Sequence, residues 1–160
     1  MTSITSTSIF ASAENAERQP HYWIALFQIV YGATYAAQLG HWHSISPRFN
    51  DLHEFFGDEY DVWTKYVDTV AEHVRQHPGN VLLPISLTKL GTGLHEAEPT
   101  SDPNLLLDNY RTFVSAIDTL LVKADDTLQH PADIDLIGEL ARVTAKSIWK
   151  IDAISGKKGK

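Results

Sequence analysis

The chain has 160 residues, no cysteine and a formal net charge of −7. Without thiols it can form no disulfide and no thiolate metal site, so any metal must be held by nitrogen and oxygen donors. The lack of an apolar run near about 18 residues excludes a membrane span, and the acidic body is a poor general binder of nucleic acid, because phosphate contacts need clustered Lys and Arg.

Residues 1–19 are polar, with neither a basic start nor an apolar core, and read as a flexible tail rather than a secretion signal. From Pro20, which suits a first helical turn, Trp23, Phe27, Tyr31, Tyr35 and Leu39 recur four apart and predict the first helix. Ser46-Pro47 interrupts it. A second helix is expected from near Pro47 to about Gln76, with Leu52, Phe56, Tyr60, Trp63, Val67, Val70 and Val74 as its apolar stripe. "HPGN" stops that helix. The connection that follows is broken by Pro and Gly, and has room for a short helix near Ile85 to Leu90. The third long helix opens at Ser101 or Asp102, with Pro103 at its first position. Its stripe is Leu106, Tyr110, Phe113, Val114, Ile117, Leu120 and Leu121. After "LQHPAD" a fourth helix places Ile137, Leu140, Ala141, Thr144, Ile148 and Ile151 on one face and ends at Gly156. Residues 20–156 are thus predicted to form an all-α, ferritin-like four-helix bundle, and the long middle connection permits a crossover. The tail at 157–160 holds Lys157, Lys158 and Lys160. It is either a solvated terminus or a weak, mobile DNA contact.

Asp68 and Glu72 are four apart, so they share a helix face and can chelate a cation or simply face water. His53 lies on the same side, within about 100° of both, but 15 residues of helix put it roughly 22 Å from Asp68. One ion can join these groups only if a second copy of the helix lies antiparallel, with the two-fold axis near Tyr60 to Thr64. His41, near the end of the first helix, is brought toward His53 by the hairpin. Two imidazoles from one subunit and two carboxylates from another suit iron, manganese or zinc. His43 is expected to point elsewhere. His73 and His77, at a helix end, suggest a helix-dipole or solvated role, and His21, His95 and His130 a surface position. Trp42 and Trp149 are core aromatics or pack beside the site.

The segments "HWHSISPRFNDLHEFF" and "DTVAE" resemble the Dps family, the starvation-induced mini-ferritins that bind iron and often DNA. The matching positions are His41-Trp42, Phe49, His53-Glu54, Asp68 and Ala71-Glu72, and "KSIWKIDAI" places Trp149 as in the family's last helix. The resemblance implies a cytoplasmic or nucleoid-associated dodecamer of two-fold dimers. Iron centres at the dimer seams would oxidise Fe(II) with hydrogen peroxide, and ferric mineral would be stored inside. Acid-lined pores are also implied, with Asp133 and Asp135 as candidates. The family has an acid four residues after the second His, where this chain has Gly57. Asp58 follows, but about 100° round the helix. Either a local distortion recruits Asp58 or the oxidation centre is degraded. Three readings therefore stand open: a ferroxidase that protects DNA, a structural shell that has lost the chemistry, and a DNA-compacting shell.

Overall fold

The computed structural model describes residues 19–76, 100–124, 128 and 130–156, with α1 side chains from Tyr22 onward. The N-terminal tail through residue 18, the short helix expected near Ile85 to Leu90, His77, His95, the side chain of His21 and the three C-terminal lysines lie outside the described residues. Four helices make up the described chain: α1 (Gln19–His43), α2 (Phe49–Gln76), α3 (Pro103–Ala124) and α4 (Pro131–Ile154). No strand occurs among the described residues.

Local chemistry sets these boundaries. Pro20 falls in the first turn of α1. Ser44 closes that helix, its backbone N–H and its hydroxyl both donating to the Gly40 carbonyl. Asp102 accepts from the backbone of Asn104 at 2.8 Å, capping α3 ahead of Pro103. His130 is exposed and caps α4, accepting from Ala132 N at 3.3 Å. Gly156, at φ 67°, ends α4 in the left-handed conformation that glycine adopts without strain.

α1 packs against both α2 and α3, and α3 against α4. Buried residues of α1 include Tyr22, Trp23, Ala25, Leu26, Phe27, Ile29 and Val30, which cover more than half of the helix circumference rather than one narrow stripe. The expected four-apart stripe is only partly in the core: Trp23 and Phe27 are buried, Tyr35 and Leu39 half-buried, and Tyr31 exposed. Steps of four residues advance about 40° each, so such a stripe winds off the core within two turns. Two glycines set the close approach of α1. A side chain at Gly32 would strike the Phe113 ring, and one at Gly40 the Phe56 ring, each at 2.5 Å. The α3 stripe is buried in full. On α2, Tyr60 and Val67 are only partly buried, while Glu59, Tyr66 and His73 turn inward.

Side-chain contacts fix the directions. Tyr22 Oη donates to the Leu120 carbonyl, so α1 and α3 are antiparallel. Trp63 and Tyr110 meet at mid-bundle and Ile45 N–H reaches Ser101 O, so α2 and α3 run parallel. That order needs a long connection between them, as in ferritin-like bundles.

Candidate metal centre

The α1–α2 hairpin closes over five residues. Ser46 accepts from Arg48 N through its hydroxyl and from Phe49 N through its carbonyl, turning the chain into α2. This brings His41 and His53 face to face, ring centroids 3.8 Å apart at 20°. Phe49, one turn earlier on α2, stacks against His53 at 5.0 Å. The two histidines are tied reciprocally: His41 Nδ1 lies 2.9 Å from the His53 carbonyl, and His53 Nδ1 lies 2.9 Å from the His41 carbonyl. A carbonyl only accepts, so each Nδ1 carries a hydrogen, and each neutral ring keeps its lone pair on Nε2. Metal-ligating histidines are oriented in this way, by donating their other nitrogen to a carbonyl or carboxylate.

Gly57 faces this pair. A Cβ there would sit 3.1 Å from His41 Nδ1 and 3.2 Å from its Cε1. The glycine therefore leaves room for the His41 ring at the point where a side chain would press on it. α2 runs unbroken through Gly57, so the local distortion that would recruit Asp58 is absent, and Asp58 is exposed.

Asp68 and Glu72 are exposed further along α2. Within one chain, no three metal-ligating side chains come together among the described residues. Between the two ends lies a groove of about 180 Å³ formed by Tyr31, Thr34, Tyr35 and Gln38 of α1 with Tyr60, Thr64 and Val67 of α2. Its α2 residues straddle the midpoint between the histidines and the acids.

Other expectations are corrected. Trp42 and Trp149 are not core residues: they are 59% and 66% exposed. His73 is not solvated; it is buried, packs edge-on to Trp23 at 4.2 Å and hydrogen-bonds Asp133 at 2.8 Å. Asp133 is 1% exposed, unlike the water-facing position that a pore lining needs. Asp135, two residues on, is exposed, as is His43.

No family model matches the chain. A curated relative, the DNA protection during starvation protein of Brevibacillus brevis, is 24% identical over 139 residues, spanning 85% of this chain and 89% of the relative. Mycobacterium smegmatis Dps superposes with a TM-score of 0.69 at 15% identity, over 100% of this chain and 98% of that one. Dps from Listeria monocytogenes superposes with a TM-score of 0.64 at 20% identity, over 85% and 92%.

The chain has the fold of the Dps proteins. In sequence, too, it resembles the Dps family, through the match to the Brevibacillus relative. No helix among the described residues of this Dps-like chain is long and apolar enough to cross a membrane.

The middle of the Dps-like bundle holds a charge that the sequence did not reveal. Glu59 is 2% exposed. Its Oε2 accepts from Tyr110 Oη at 2.5 Å and from the Ser147 hydroxyl, and its Oε1 from Lys150 Nζ at 2.7 Å. Trp63 Nε1 donates to Tyr110 Oη at 2.6 Å. Burial, then the neighbouring carboxylate, push the Tyr110 phenol well above its ordinary range. Beside this network Arg111 pairs with Asp152, joining α3 to α4.

Proposed function

We propose that the chain is a Dps-like iron-oxidising and iron-storing protein whose centres are shared between two copies. His41 and His53 of one copy supply neutral nitrogen donors. Asp68 and Glu72 of a second copy, laid antiparallel along α2, supply the negative oxygens that offset the charge of the ferric product. Iron is the substrate and cargo, and hydrogen peroxide the oxidant. Consuming the two together removes the reagents that damage DNA. A dodecameric store built from these two-fold pairs, entered past the exposed Asp135, completes the proposal.

The observation that carries this reading is the layout of one rigid helix. Prepared imidazoles stand at one end, exposed carboxylates at the other, and an aromatic groove lies midway where a two-fold axis would fall. Four ligands suffice for one ion. Gly57 adds none, so each centre takes iron one ion at a time.

The decisive experiment is complementation. Fe(II) and peroxide should give rapid ferric absorbance with the native protein and none with His53→Ala or Glu72→Ala alone. When the two variants are unfolded together and reassembled, the mixed pairs each regain one intact site, restoring about a quarter of the native sites. No recovery, with the oligomer intact, would sink the shared centre. An intact oligomer that binds no iron even as the native protein would leave the structural shell as the better reading.

A further inference from the structure

We propose that Tyr110 is a redox partner of the iron centre, giving up one electron to peroxide while its phenolic proton passes to Glu59. This rests on the peroxide-driven iron oxidation proposed above. The need for such a partner is one of electron count. Peroxide takes two electrons on its way to two waters, and a single Fe(II) gives one. Unless a second donor is close by, the reaction stops halfway, at a hydroxyl radical.

The geometry around Tyr110 provides that donor. The phenol donates at 2.5 Å to a carboxylate buried with it, and it accepts from the Trp63 indole at 2.6 Å. A phenol that loses an electron becomes strongly acidic and must shed its proton to the nearest base, here Glu59 Oε2. The Trp63 N–H stays on the oxygen before and after. Burial disfavours the phenolate, so the electron leaves only together with the proton. Lys150, bonded to the other oxygen of Glu59 and with a side chain 25% exposed, links the network to water.

The position also suits the role. Phe56 packs edge-on to Tyr110, with centroids 6.0 Å apart, and its ring fills the space beside Gly40, the residue before His41. Glu59 follows His53 by six residues, roughly 9 Å along α2. One aromatic ring thus separates the phenol from the backbone that carries the iron ligands.

The steps balance. Fe(II), peroxide, the Tyr110 phenol, the Glu59 carboxylate and two solvent protons give Fe(III), two waters, a Tyr110 phenoxyl radical and a protonated Glu59. A second Fe(II), arriving after the first has left, returns an electron to the phenoxyl, and Glu59 returns the proton. The sum is two Fe(II) oxidised per peroxide at a centre that holds one ion at a time.

The test is rapid-freeze electron paramagnetic resonance on the full-length oligomer after Fe(II) and then peroxide. A tyrosyl signal is expected. It should narrow when the unmutated protein is grown on ring-deuterated tyrosine, which assigns it without any change in fold. In Tyr110→Phe, checked for assembly and melting, the signal should be lost, and trapped hydroxyl radical should rise severalfold. Ferric absorbance without a tyrosyl signal in the native protein, or an unchanged signal in Tyr110→Phe, overturns the proposal. If no ferric absorbance forms at all, the iron reading has failed instead. Tyr110 is then tested alone with hexachloroiridate(IV), an outer-sphere one-electron oxidant. A tyrosyl signal that Tyr110→Phe abolishes upholds its redox role, and absence of the signal overturns it.

Discussion

Replacing Gly57 with alanine separates two effects that usually act together. Alanine in a helix interior is favoured over glycine by roughly 0.5–1 kcal/mol. Against this stands the new methyl group, 3.1 Å from His41 Nδ1 and 3.2 Å from Cε1, inside the ~3.5–4.0 Å of an ordinary contact. The ring must retreat by several tenths of an ångström. The hydrogen bond that shares its Nδ1 is already at 2.9 Å, and weakening it forfeits about 0.5–1.5 kcal/mol. The two terms nearly cancel, so folding stability should change by less than about 1 kcal/mol. Metal binding has no such compensation. Disturbing the partner that orients a ligating histidine typically costs 10–100-fold in affinity, or about 1.4–2.8 kcal/mol. Anaerobic calorimetric titration with Co²⁺, a redox-inert stand-in for Fe(II), alongside denaturant unfolding, measures both quantities. A G57A protein that gains its full helix propensity and binds Co²⁺ as tightly as the native protein would refute the view that the glycine makes room for His41.

Further outcomes follow from other contacts. Glu59→Ala leaves Lys150, Ser147 and Tyr110 without their shared acceptor, and breaking a buried pair of this kind costs about 3–5 kcal/mol, readable as a lower denaturant midpoint. Gly32→Ala and Gly40→Ala should each destabilise by about 1–3 kcal/mol through overpacking, against their better helix propensity, because the incoming methyl meets an aromatic ring at 2.5 Å. Tyr66 donates to Glu139 at 2.7 Å, and burial, with that carboxylate, pushes its phenol up to about 12. The folded state therefore holds the proton more tightly than the unfolded chain. The resulting stability is complete below pH ~10 and is lost as pH rises toward ~12. Unfolding midpoints measured between pH 9 and 11.5 should fall less steeply for Tyr66→Phe than for the native protein.

How much of this was legible in the sequence depended on which residues carried the pattern. α3 is legible in the sequence because every position of its stripe is apolar and buried. The buried face of α1 is not, because an almost wholly apolar helix shows no single face in its pattern. The burial of Glu59, His73 and Asp133 is illegible for the opposite reason: a polar or charged residue in an amphipathic pattern reads as solvent-facing, and nothing in the sequence names its partner. Glu59 finds its partners 51 to 91 residues away, on α3 and α4. At the candidate metal centre, the hairpin that brings His41 to His53 is foreseeable from the Ser46-Pro47 break. The reciprocal carbonyl bonds and the purpose of Gly57 are not, since both depend on where two backbones come to rest.

The bonds that aim the two imidazoles end on peptide carbonyls, each belonging to the other histidine. Their hydrogen-bonded aim therefore depends on the course of the hairpin and on the room that Gly57 leaves, not on a third polar side chain. A histidine pair held in this manner is set by the path of two backbones, so whatever shifts α1 against α2 at the hairpin turns both rings together.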